Sequence, residues 1–290
     1  MSSPNRQPGT MTVWQVVELA RHPDRPYSLD YIRRWAPDFV ELHGDRLGAD
    51  DAALVAGVGT WQGRPTMFLG QQKGRNFPER VRRNFGMMHP EGYRKAMRLA
   101  RQAAKFNFPI VCLIDTPGAY PGAGAEERGI AGAIAQAIME WFWIPVPVVA
   151  AVIGEGGSGG ALGMAVADRV VMLENSIYSV IMPESCASIV WRDNSRKVEA
   201  AEQLQITSRD VLAMGVVEEV IEEPGGGAHT DFDGTAAVLG KALLRHLEPL
   251  RRMPSEDLLQ HRYDRFRYID SLIRAEEDFG PKVGGGLSPA

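Results

Sequence analysis

The sequence predicts an α/β core of repeated strand–turn–helix units, with helical segments appended at both ends. Two observations carry that prediction. Apolar, β-rich runs at 66–70, 109–114 and 147–153 begin about 40 residues apart, and each passes through a glycine-bearing turn into a stretch with helical spacing. The run from Val146 to Ile153 is apolar at every position, the pattern of a strand buried on both faces. Units of this kind build a layered or spiralling core whose turns gather along one edge, where ligands bind in such architectures.

Taken in order, the first ten residues are polar and contain Pro4 and Pro8, so they are expected to be loose. Thr12 caps a short amphipathic helix over 13–20 that stops at His22-Pro23. A second helical run opens at Ser28, its expected N-cap, with Asp30 in the first turn. Neither run is long enough to stand alone, so residues 1–50 read as a helical arm docked on the core or on another chain, closed by the turn His43-Gly44-Asp45-Arg46. Residues 51–225 hold the repeats: QQKGRNF leads toward a helix over 90–106, DTPGAYPGAGAEERG toward one from Ile130, and GEGGSGG toward one over 160–168. Apolar runs at 177–182 and 216–221 continue the theme. Residues 226–290 read as peripheral helices over 235–250 and 255–275, broken at Pro249 and Pro254, with a disordered tail from Gly280.

Composition excludes several classes. With 44% hydrophobic and 23% charged residues the chain is globular in character, and its longest apolar run breaks at Gly154-Glu155 before it could cross a bilayer. A net charge of −4 argues against nucleic acid as the main partner. The N-terminus lacks an apolar signal region, so a cytoplasmic protein is expected. Cys112 and Cys186 stand far apart in apolar surroundings and read as reduced thiols, and no C-x-x-C or H-E-x-x-H spacing offers a metal site.

The stretch 146–174 concentrates the chemistry. Five glycines within the seven residues 154–160 suggest a sharp turn that brings bare N–H groups close to something, with Ser158 capping the helix that Gly159 and Gly160 open. Three functional readings compete with simple close packing of helix on strand. Gly154-Glu155-Gly156-Gly157-Ser158-Gly159 satisfies the dinucleotide pattern G-x-G-x-x-G, with Glu174 twenty positions beyond Gly154. Gly156-Gly157-Ser158-Gly159-Gly160 satisfies G-x-S-x-G, with Asp193 and His229 following in hydrolase order. In the third, Gly159 and Gly160 donate backbone hydrogen bonds to a developing oxyanion. Valine at Gly160 is then expected to keep the fold, because it is a better helix residue than glycine, and to block the ligand.

Charged residues in the turns have ordinary explanations beside functional ones. Glu126 and Glu127 could act as acid and base, or simply complement the helix N-terminus that follows. Lys73 and Arg75 lead a basic run that continues through Arg80, Arg82 and Arg83; it is either a solvated face or a place for a phosphate or carboxylate.

GQQKG, RRNFGM followed by PEGYRKAMRLA, DTPGAYPGAGAEERG, GEGGSGGALG, YSVIMPESCASIVW and EPGGGAH together resemble the α subunit of the multi-subunit acetyl-CoA carboxylase carboxyltransferase over about residues 12–270. The resemblance implies a crotonase-like fold of ββα superhelix units. It also implies an α2β2 heterotetramer with a β subunit, moving a carboxyl group from carboxybiotin to acetyl-CoA to give malonyl-CoA for fatty-acid synthesis. Biotin would arrive on the biotin carboxyl carrier protein, loaded by biotin carboxylase, with no cofactor bound covalently here. The four zinc-binding cysteines of that system are characteristic of the β subunit, and this chain has none of them. Gly159 and Gly160 would then hold the biotin ureido oxygen, Gly156, Gly157, Gly118 and Ala119 would shape the carboxybiotin pocket, and Lys73 and Arg75 remain anion-binding candidates. A serine hydrolase using Ser158 and a noncatalytic scaffold subunit are the alternatives.

Overall fold

A computed structural model describes residues 11–278, with side chains through residue 269. Eight strands form one mixed sheet. β1 (Val40–Glu41), β2 (Leu54–Trp61) and β3 (Arg64–Gln71) pair antiparallel. From β3 onward the pairing is parallel, through β4 (Ile110–Thr116), β5 (Val148–Gly157), β6 (Arg169–Leu173) and finally β8 (Glu219–Ile221). β7 (Ile177–Ser179) leaves this order and pairs with the glycine-rich end of β5.

Parallel neighbours need crossovers, and helices supply them: α3 (Phe77–Arg82) and α4 (Pro90–Phe106) between β3 and β4, α5 (Ala123–Glu127) and α6 (Ile130–Trp141) between β4 and β5, and α7 (Ser158–Ala165) between β5 and β6. α8 (Pro183–Trp191), α9 (Lys197–Leu204) and α10 (Ser208–Ala213) lie between β7 and β8. The ends carry α1 (Val13–Ala20) and α2 (Ser28–Trp35) before the sheet, and α11 (Phe232–Leu250) and α12 (Ser255–Asp278) after it.

Alternation along the strands divides the core between two faces. Ile110, Cys112 and Ile114 of β4 join the buried stripe Tyr93, Ala96, Met97, Ala100 and Ala103 of α4, together with α6 and α7. Val111 and Leu113 face the other way, onto Tyr31 and Ile32 of α2 and Leu239, Leu243 and Leu247 of α11. α11 is not peripheral: its Leu239, Leu243 and Leu247 are fully buried and share that face of the sheet with α2.

Buried ion pairs fasten the appended segments. Arg25, between α1 and α2, donates to both carboxylate oxygens of Glu223 and to the carbonyl of Ile153. Arg262 of α12 is fully buried and uses its guanidinium on both oxygens of Asp168 and on the carbonyls of Trp141, Ile144 and Val146. An arginine whose donors are all matched can be buried at tolerable cost, whereas losing one partner strands a charge.

Some local expectations change. Thr12 caps α1 as expected, in a capping box with Gln15. Ser28 does not cap α2: Tyr27 holds the N-cap position, the Asp30 carboxylate accepts its N–H at 2.7 Å, and the Ser28 hydroxyl donates to Gln71 O at 2.6 Å. The first ten residues and the tail from Gly280 lie outside the described residues. Among the described residues no helix is long and apolar enough to cross a membrane, and Cys112 and Cys186 are unbridged.

Candidate functional site

The predicted glycine turn is shorter than its sequence suggests. Gly154 to Gly157 extend β5 as buried strand, held by β7 through the register Glu155↔Ile177, Gly156↔Tyr178 and Gly157↔Ser179. The reversal into α7 is confined to Gly157 and Ser158. Ser158 pays for it with φ at 52°, the left-handed region that costs a residue with a side chain about 1–3 kcal/mol. It is not the cap: Gly157 holds that position and α7 has no side-chain cap. Gly159 and Gly160 lie in the first turn of α7, which has no side-chain cap, and N–H groups at such positions have no i−4 partner within their own helix. They stand at the positive end of the helix dipole.

Against this turn lies the one after β4. The Thr116 hydroxyl donates to Gly118 O at 2.6 Å and accepts from the Gly118 N–H at 3.2 Å, which stiffens the segment. The two backbones touch: a Cβ on Gly157 would sit 2.1 Å from Pro117 O, and one on Gly160 would sit 2.3 Å from the carbonyl carbon of Gly118. Glycine at 160 is thus required by the neighbouring backbone, and the expectation that valine there leaves the fold intact is corrected. Gly159 differs. A Cβ on it meets only Ile134 Cγ2 at 3.6 Å, and one on Gly118 meets nothing within 4 Å. The structure brings the backbone of Gly118 and Ala119 against Gly157 and Gly160, with Gly156, Gly157 and Gly160 buried and Gly118, Ala119 and Gly159 half-buried.

Near the ends of β4 and β5 that lead into these turns lies a charged cluster that sequence reasoning missed. Lys73 Nζ lies 2.7 Å from Asp115 Oδ1 and 2.8 Å from Glu155 Oε2, and Arg21 joins Glu155 at 2.7 Å to Glu184 at 2.5 Å. Burial alone would push the Glu155 carboxyl up, but Lys73 and Arg21 outweigh it and hold its pKa below the ordinary range. Burial likewise works against the charge on Lys73, and Asp115 and Glu155 reverse that, raising its pKa. Lys73 therefore already serves two carboxylates. Arg75 is engaged too: it donates to Arg25 O at 2.7 Å and to Asp30, and lies 4.1 Å over the Tyr27 ring. Arg21 and Glu155 are separated by 134 residues, so no local spacing could announce the cluster.

The competing motifs do not assemble. Asp193 accepts from the Ser195 N–H and hydroxyl, and His229 stacks on His22 with centroids 4.1 Å apart; neither is bonded to Ser158. Burial and the neighbouring His22 depress the pKa of His229. The first two glycines of the dinucleotide pattern, Gly154 and Gly156, are buried inside β5, and Glu174 faces Arg209 at 3.4 Å. Glu126 and Glu127 are exposed on α5. Among the described residues no group of three or more His, Cys, Asp or Glu is placed to hold a metal ion.

Comparison with known proteins adds to this geometry. The family model described as acetyl co-enzyme A carboxylase carboxyltransferase-like matches residues 5–270. The acetyl-coenzyme A carboxylase carboxyl transferase subunit alpha of Geobacter metallireducens is 53% identical over 254 residues, 88% of this chain and 80% of that protein. The protein of the same name from Sorangium cellulosum is 54% identical over 263 residues, covering 91% and 83%. Among solved structures, transcarboxylase 12S aligns with a TM-score of 0.63 at 19% identity, over 87% of this chain and 48% of that one. A Pseudomonas malonate decarboxylase hetero-dimer aligns with a TM-score of 0.65 at 15% identity, over 86% and 98%.

Proposed function

The chain belongs to the family of acetyl-CoA carboxylase carboxyltransferase alpha subunits, with its crotonase-like fold, and from that premise we propose that the half-buried backbone at Gly118 and Gly159 takes carboxybiotin. The enzyme class is biotin-dependent carboxyl transfer. The reaction proposed for this chain moves the carboxyl group from carboxybiotin to acetyl-CoA and yields malonyl-CoA. Gly159 and Gly160 donate their N–H groups to the biotin ureido oxygen, where negative charge develops as the carboxyl group leaves. Backbone donors fixed at a helix start need no reorganisation to meet that charge, and losing one such donor typically costs about 10²–10³ in rate. Gly118, Ala119, Gly156 and Gly157 shape the wall, and no side chain of this chain has to act as acid or base.

The observation that carries the proposal is the start of α7, which no side chain caps, beside a turn where a Cβ on Gly159 or Gly118 meets no backbone. The site supplies one set of donors, whereas the transfer also needs charge stabilised on the acetyl-CoA side. We assign that second set to a β subunit in an α2β2 assembly, with any zinc held there. The carrier protein presents biotin, biotin carboxylase recharges it, and the assembly works in the cytoplasm. Reconstitution tests this: the chain alone, a β subunit alone, and the mixture are assayed for malonyl-CoA formation with carboxylated carrier. Activity in the mixture only is expected; transfer by this chain alone would contradict the division of labour.

A further inference from the structure

Gln71 ends β3 and Gln72 follows it, yet they are wired in different directions. Gln71 is fully buried. Its Nε2 donates to Gly160 O at 2.8 Å and its Oε1 accepts from the Asp115 N–H at 3.2 Å, while its own carbonyl accepts from Ser28. Gln72 instead accepts from the Leu29 N–H at 3.0 Å and donates to Lys73 O at 3.0 Å, toward the N-terminal arm. One side chain thus joins the segment that opens α7 to the strand end that leads into Thr116–Ala119. Asp115 carries the link onward, accepting from the Glu155 N–H at 3.0 Å and pairing with Lys73.

We infer that Gln71 is a positioning residue, whose amide sets the spacing between the Gly118–Ala119 wall and the Gly159–Gly160 donors. The inference rests on the carboxybiotin proposal above. An amide suits the task because one planar end offers both a donor and an acceptor. A methionine of similar length offers neither, and an asparagine is one methylene short of reaching both segments. With Gln71 buried among protein groups, water has no room to replace it, and a network half satisfied loosens where it matters. Displacements well under an ångström at donors of this kind lower turnover without altering how the second substrate binds.

The test uses the complex with the β subunit. Gln71→Met is expected to lower kcat at least about tenfold while the KM for acetyl-CoA stays within about twofold. Gln72→Met, which also gives up two hydrogen bonds, is the control and should keep kcat within about twofold. A folded Gln71→Met complex with wild-type kcat, or a loss matched by Gln72→Met, overturns the inference. Should Gln71→Met fail to fold, Gln71→Asn is judged by the same thresholds; failure of both to fold makes Gln71 a structural residue and also overturns it. Gly159→Val is run alongside. If it is inactive while Gln71→Met is active, this inference alone falls; if it is fully active, the carboxybiotin proposal falls and takes this one with it.

Discussion

Gly159 and Gly160 are the same residue side by side, yet packing gives them opposite tolerances. Gly160 is pressed against the Gly118 backbone, so Gly160→Ala should lower stability by about 1–3 kcal/mol, the usual cost of overpacking, read as a reduced melting temperature. At Gly159 a Cβ meets only Ile134, at van der Waals distance. Ser158 lies between strand and helix with its hydroxyl uncommitted to a cap, so Ser158→Ala should retain activity within about twofold and no fluorophosphonate should label the wild-type protein. A large fall in kcat in folded Ser158→Ala would favour a nucleophile after all. The need for glycine here was legible in the sequence; which backbone came close was not, because Pro117 and Gly118 lie some forty residues away in a different turn. The capping role assigned to Ser158 failed for a similar reason: capping depends on backbone dihedrals, which a residue's preference does not fix.

Among the elements, α4 and α6 were readable because periodic apolar residues are all that an amphipathic helix requires. β2 was not, since Gly57 and Gly59 interrupt its apolar pattern. β5 runs four residues past its apolar part because β7 pairs with the glycines, a tertiary contact. α11 was placed at the periphery because an amphipathic helix looks the same whether it covers a core or another chain. The pair that ties the connection between α1 and α2 to the segment before α11 gives a pH test. Burial acts to raise the pKa of Glu223, but Arg25 wins and holds it below the ordinary value, helped by Asn175 and Ala228. A carboxylate depressed in the folded state adds stability that is fully present above its unfolded pKa of about 4.3 and fades as pH falls through the folded value. Glu223→Gln should therefore cost about 3–5 kcal/mol near neutral pH, where it strands Arg25, and should flatten the loss of stability below about pH 4.3. Urea unfolding of both proteins across pH 3–7 checks it; an unchanged acid limb in the variant would remove Glu223 as its source.

At the scale of the whole molecule, repetition of strand, turn and helix was enough to announce a layered core with its turns on one edge, and the long sequence blocks agreed with the family. Hidden from sequence were the long-range pairs: Arg21 with Glu155 and Lys73 with Asp115 at the strand ends that lead into the turns, and Arg262 with Asp168 at the opposite ends of the strands. Each joins residues whose own neighbourhoods look like ordinary solvated charge. The account rests on the N–H donors at the start of α7, which no side chain caps. Its most direct test is kcat for carboxyl transfer by Gly159→Val in complex with the β subunit, with circular dichroism and β-subunit binding measured on the same preparation. A side chain beside the Gly159 N–H, where a Cβ meets only the Ile134 side chain at van der Waals distance, should hold the ureido oxygen away and lower kcat by about 10²–10³ while fold and assembly remain. A folded, assembled Gly159→Val complex that turns over at the wild-type rate would contradict it.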